Sequence, residues 1–198
     1  ALPPQWRKPV RNARGERGHL FSVHGVKMDI RRGDLDAPRI VALLRYHFNK
    51  CHEVTPPGSA HAFDVTRLKS PEIDFWAAWE GETLLGVGAM KPLDATHGEV
   101  KSMHTAEAAR RRGVAGAILR HIIETARDRG LTRLSLETGS FGYFAPAVAL
   151  YKAHGFTECP PFGDYKPDPN SVFLTRPIVL YRKAGEDNPN EVGVGEGE

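Results

Sequence analysis

The residues best suited to chemistry are Arg110-Arg111-Arg112-Gly113-Val114-Ala115-Gly116-Ala117. They stand between a strand pattern, His97 to Thr105, and the strongest helical pattern in the chain. A helix N-terminus presents unpaired N–H groups and a positive dipole. Small residues there let a phosphate approach the backbone, and the arginines add charge. Local physics therefore offers two readings: a pyrophosphate site, or a tight strand-to-helix connection with surface arginines. The chain has no G-x-x-x-x-G-K-[ST], which argues against a nucleotide triphosphatase. It also has no G-x-G-x-x-G after its first strand, which argues against a dinucleotide fold.

Other reactive residues carry weaker signals. Cys51 and Cys159 are far apart in sequence and lack metal-ligand spacing, so they read as reduced, buried thiols without an activating partner. His52-Glu53 begins like a zinc-protease motif, but Pro56 occupies the second histidine position. No catalytic metal is expected.

The surrounding elements follow from periodicity. Lys27 to Arg31 alternates as a strand. Asp34 and Asp36 are candidate caps for a helix with Pro38 in its first turn and Ala37, Ile40, Val41, Leu44, Phe48 and Cys51 along one stripe. Thr55-Pro56-Pro57-Gly58-Ser59 ends it. Phe75 to Glu80 and Thr83 to Met90 form a hairpin about Gly81-Glu82. In the helix after Gly113, Ala115, Ile118, Leu119, Ile122, Ile123 and Ala126 form the apolar stripe. Arg120, His121, Glu124, Arg127 and Asp128 are expected opposite, with Gly130 as the stop. Arg133 to Thr138 alternates again, Pro146 opens a helix that Gly155 ends, and 156–159 and 171–176 are the last strands. That order gives one mixed α/β sheet with helices on its faces.

Composition bounds the classes. The chain has 198 residues, 40% of them hydrophobic and 26% charged, which suits one globular domain and excludes wholesale disorder. Its apolar runs are too short for a membrane span, and its basic N-terminus lacks a secretory apolar core. A cytoplasmic location is the expectation. Residues 1–26 read as a flexible basic extension, 27–183 as the domain and 184–198 as an acidic disordered tail. The basic arm and Arg110–Arg112 invite a nucleic-acid reading. No helix-turn-helix pattern or aromatic platform supports it, so neither nucleic acid nor membrane is an expected partner.

Arg110-x-x-Gly113-x-Ala115 resembles the acyl-CoA pyrophosphate signature of the GNAT N-acetyltransferases. Glu99-Val100-Lys101-Ser102-Met103-His104-Thr105 resembles that family's fourth strand, and Leu150-Tyr151-Lys152-Ala153-His154-Gly155-Phe156 its later segment. The likeness covers roughly residues 28–180. Pro56-Pro57-Gly58-Ser59-Ala60-His61 and Gly163-Asp164-Tyr165, with Pro167 to Phe173, resemble a bacterial subgroup of poorly defined substrate. Two departures stand out: Ala115 replaces the commoner second glycine, and Phe144 replaces an asparagine usual seven residues before the tyrosine.

The resemblance implies a single GNAT-like α/β domain, its mixed twisted sheet splayed at central parallel strands, with acetyl-CoA as co-substrate in the splay. Arg110, Arg111, Arg112, Gly113, Val114, Ala115 and Gly116 would hold the pyrophosphate. Met103, His104 and Thr105 would pair with the pantetheine arm and polarise the thioester carbonyl. Glu99 would be the base for the amine, and Tyr151 the acid for the leaving thiolate. Each also has a plain structural reading, as a strand-ending glutamate and a core aromatic. His52, Ser59, His61, Asp164 and Tyr165 would wall the acceptor pocket. The expected acceptor is a small-molecule amine. A protein lysine or N-terminus, or a non-catalytic acyl-CoA sensor, are the alternatives, and homodimerisation, common in the family, is left open.

Overall fold

The computed structural model describes residues 18–23 and 26–180. In chain order its elements are β1 (Gly18–Val23), β2 (Val26–Arg32), α1 (Pro38–Val54), α2 (Val65–Leu68), β3 (Asp74–Glu80), β4 (Thr83–Pro92) and β5 (His97–Thr105). They continue as α3 (Val114–Asp128), β6 (Arg133–Gly139), α4 (Ala145–Ala153), β7 (Thr157–Glu158) and β8 (Ser171–Pro177). One eight-stranded sheet takes the order β1-β2-β3-β4-β5-β6-β8-β7, antiparallel except for the central β5–β6 pair.

The sheet begins before the expected domain start. β1 pairs with β2 from Gly18↔Arg31 to Val23↔Val26, which corrects the reading of these residues as a flexible extension. The basic residues around them obscure the strand formers Leu20, Phe21 and Val23. Residues 1–17 and the acidic segment 184–198 lie outside the described residues.

Helices cover both faces. On one, Ile118, Leu119 and Ile122 of α3 pack with Met28, Ile30, Trp76, Leu85, Met90 and Leu134 in the main core. Each such side chain contributes roughly 1.5–3 kcal/mol on burial. On the other, Ile40 and Leu44 of α1 and Leu68 of α2 cover Phe75, Ala77, Val87 and Ala89. The expected caps of α1 need correction. Ala37 is its N-cap, and the Asp34 carboxylate accepts instead from the Asp36 N–H, at 2.9 Å, in the preceding turn. His121 is also not on an exposed face. It is buried with its ring edge-on to Trp76, 5.1 Å between centroids, because the sheet wraps α3 more widely than one stripe.

Two irregularities open the middle of the sheet. β5 and β6 pair only at His97↔Arg133, Gly98↔Leu134 and Glu99↔Ser135, and then diverge. Just beyond, β5 bulges. Val87 faces His104 and Ala89 faces Lys101, so Gly88 alone stands opposite Ser102 and Met103. Ser102 takes the left-handed conformation at φ 51°. Gly88 is required there, since a Cβ would lie 2.7 Å from both Ile118 Cγ2 and Met103 Sδ.

Candidate active site

The strand-to-helix turn has the backbone of an anion cradle. Arg111 and Gly113 both have positive φ, 60° and 78°, and Gly113 caps α3 without any side-chain hydrogen bond. Alternating backbone handedness of this kind turns successive N–H groups inward to form a nest. Gly116 lies one turn further and is buried. A Cβ there would come within 3.3 Å of Arg120 and 3.5 Å of His154, so the glycine lets these side chains pack closely on the first turn of α3. The signature residues divide by environment. Arg112 pairs with Glu80 at 2.8 Å, Val114 is buried in the core, and the charge of Arg110 acts on His104.

The main cleft lies where β5 and β6 part. Val100 to Met103 form one wall and Glu137 to Gly139 the other. Ala147 and Tyr151 of α4 close one end, and His47 and Cys51 of α1 lie above with Ser59 to Ala62. Tyr151 is 6% exposed, and burial, followed by the nearby Glu137, pushes its phenol pKa above the ordinary value. It therefore stays protonated. The Glu137 carboxylate is also raised, by burial, against the opposing hydrogen bond that Ser171 Oγ donates at 2.7 Å.

His47 lines the cleft and His104 packs against it, and both are held neutral. Burial, and then the neighbouring His104 and Lys101, lower His47 to about 3; burial and Arg110 lower His104 to about 4. Their rings are 5.0 Å apart, and His104 Nε2 is buried without a hydrogen-bond partner among the described residues. Cys51 lies 3.7 Å from His47 Nδ1, but burial raises its thiol to about 11, so it is not an activated nucleophile. Cys159, expected to be buried, is only half-buried.

Glu99 lies deeper than expected. It is 2% exposed, and one carboxylate oxygen accepts from the Tyr165 hydroxyl at 2.6 Å and sits 3.2 Å from Lys101 Nζ. Lys101 Nζ also donates to the Tyr165 oxygen at 2.7 Å and to the His61 carbonyl at 3.3 Å. Glu99 does not line the main cleft. It opens instead onto a second cleft with Tyr165, Asp164, Phe63, Arg67 and Lys91. His61 and Ala60 belong to both clefts and separate them.

The remaining predicted residues fall in different places. Ser59 lines the main cleft and accepts from Asn170 Nδ2 at 3.2 Å. His61 is edge-on to Tyr165 at 5.0 Å. Asp164 is exposed on the rim of the second cleft. His52 lines neither cleft, which corrects its assignment. It sits on the exposed side of α1, stacked on Phe48 at 4.1 Å. Phe144, where the signature has asparagine, packs over Gly139, whose absent Cβ would lie 2.2 Å from its ring.

Sequence reasoning missed Glu137, Lys101, His47 and Phe63. The signal for Glu137 was its place at the C-terminal end of β6 beside a diverging parallel neighbour, where open α/β sheets bind ligands.

Comparison with known proteins places the fold in a family. The family model described as "Acetyltransferase (GNAT) family" matches residues 41–156. A Bacillus subtilis protein, YsnE, described as an uncharacterized N-acetyltransferase, is 50% identical over 76% of this chain and 100% of its own length. An Escherichia coli protein of the same description, YedL, is 51% identical over 74% of this chain and 92% of its own length. Among solved structures, a GNAT acetyltransferase from Elizabethkingia anophelis with acetyl-CoA bound shares the fold. Its TM-score is 0.56 at 19% identity, over 76% of this chain and 98% of that one. The chain belongs to the GNAT family and is an acetyltransferase. Among the described residues no helix is long and apolar enough to cross a membrane, and no cluster of three or more His, Cys, Asp or Glu could hold a metal ion.

Proposed function

We propose that this protein transfers the acetyl group of acetyl-CoA to a primary amine of a small molecule, by direct attack in a ternary complex. The observation that carries this reading is the parting of β5 and β6 after Glu99 and Ser135, with Tyr151 and Glu137 lining the gap. The nest at Arg111–Gly113 and the N–H groups of the first turn of α3, which no capping side chain takes, suit a diphosphate. The bulged edge at Ser102–Met103 has backbone groups that Gly88 alone cannot pair, and these suit an amide-bearing arm.

Charge in the cleft suits an ammonium acceptor. Glu99 and Lys101 neutralise one another, which leaves the Glu137 carboxylate in excess. Glu137, rather than the buried Glu99, is then the group that takes the amine proton, and its raised pKa matches that task. The free amine attacks the carbonyl carbon, the C–S bond breaks, the Tyr151 hydroxyl gives its proton to the departing thiolate, and the second proton released from the nitrogen restores the Tyr151 hydroxyl through solvent. Glu99 holds Lys101 and Tyr165 in place as a positioning residue. Walls from two loops, 59–62 and 163–169, favour a small molecule over an extended polypeptide.

The test is thiol release from acetyl-CoA across a panel of primary amines, with mass spectrometry of the products. An amine gaining one acetyl group, at a rate dependent on Tyr151, is expected. CoA binding without turnover of any amine would make the protein an acyl-CoA-binding module instead.

A further inference from the structure

Three cations converge on one buried ring. Arg67 Cζ lies 4.0 Å from the Phe63 centroid, Lys101 Nζ 4.6 Å and Lys91 Nζ 5.9 Å. Phe63 is 7% exposed and lines the second cleft with Arg67, which is exposed, and Lys91, which is half-buried, while Lys101 is buried beside them. Only Lys101 has a carboxylate, Glu99. Among the described residues, neither Arg67 nor Lys91 makes an ion pair. Like charges brought together without a counter-ion repel, and an anion between them removes that cost.

The carboxylates on this cleft do not supply it. Asp168 accepts from the Asn170 N–H at 2.8 Å and from Ser59, which fixes it in its own turn. Asp164 is exposed on the rim. Arg67 stacks one guanidinium face on Phe63, which leaves its N–H edges for a planar oxyanion. The cleft adjoins the main one across His61 and Ala60. A ligand passing over His61 would touch both.

We propose that the second cleft is a carboxylate subsite of the acceptor, held by Arg67 and Lys91 over Phe63. The acceptor is then an amine that also carries a carboxylate, an amino-acid-like compound whose amine enters the main cleft. This inference rests on the acetyl-transfer reading and names its substrate class.

The experiment compares carboxylate-bearing amines with their carboxamide analogues, in the wild type and in Arg67→Gln, Arg67→Glu and Lys91→Gln. The wild type is expected to prefer the carboxylate at least tenfold in kcat/KM. Arg67→Gln and Lys91→Gln should each reduce that preference toward unity, through KM, and Arg67→Glu should reverse it. Equal use of both analogues by the wild type, or a preference untouched by all three variants, would overturn the subsite. Calorimetric titration with the N-acetylated acid product separates the two claims. Product binding lost in Arg67→Glu, without turnover by the wild type, would keep the subsite and reject acetyl transfer. Turnover with no effect on product binding would do the reverse.

Discussion

The Tyr165 hydroxyl lies 2.6 Å from a carboxylate oxygen of Glu99, and Lys101 Nζ meets the same hydroxyl at 2.7 Å. The loop before β8 is thereby tied to the centre of the sheet at the point where β5 and β6 part. Tyr165→Phe keeps the ring contacts with Phe162 and Phe173 and removes only the oxygen. A buried charged group losing a partner costs about 1–3 kcal/mol. Chemical denaturation should show a loss in that range, together with a higher KM for the amine. Unchanged stability would mean that the loop is not held by this bond.

In the proposed reaction Tyr151, which lines the cleft, protonates the thiolate. Tyr151→Phe should lower kcat by about 100-fold or more, the usual range for a general acid. The KM for acetyl-CoA should stay within a few-fold, and the thermal midpoint should hold, because the apolar body of the side chain remains. Steady-state thiol release checks both, and activity equal to the wild type would remove Tyr151 from the acid role.

Burial raises the Glu137 pKa above the ordinary carboxylate value. A base must be ionised to act, so kcat/KM should fall as pH drops through that raised value, above the range of a solvated glutamate. Glu137→Gln should abolish this acidic limb and cut kcat/KM by about 100-fold or more. Glu99→Gln should leave the limb in place, and act on stability and amine KM through Lys101 and Tyr165. A pH–rate profile whose limb disappears with Glu99→Gln and survives Glu137→Gln would reverse the two assignments.

His47 and His104 are held neutral, at about 3 and about 4, whereas both titrate near 6.5 in the unfolded chain. Between those values the unfolded state binds more protons, so stability rises with pH and falls as the solution is acidified from 6.5 toward 4. Each histidine adds a slope of up to about 1.4 kcal/mol per pH unit. Urea denaturation at a series of pH values should show this decline, and His47→Gln should flatten it. An identical slope in that variant would show that His47 does not drive it.

Much of the frame was legible in the sequence, because its signals are local. The stop at Thr55, the hairpin about Gly81 and the bounds of β5 were all readable, and Gly113, Gly130 and Gly155 do have positive φ. What escaped depends on which chain segments meet in space. His121 was read as solvent-facing, since periodicity gives a stripe but not the breadth of the sheet covering it. Glu99 matched its motif, yet its motif said nothing of Tyr165, sixty-six residues away, closing over it. Glu137 belonged to no motif and became visible only once β5 and β6 diverged. His52 lost its place because one residue's rotation around α1 separates a cleft wall, Cys51, from open solvent.

The proposed reaction rests on main-chain amides from Gly113 to Gly116 holding the diphosphate of the acetyl carrier. A crystal structure with CoA bound tests this most directly. The expected result places diphosphate oxygens about 3 Å from those backbone nitrogens, with the pantetheine arm running into the gap between β5 and β6. A diphosphate bound elsewhere, with this turn uncontacted, would contradict it.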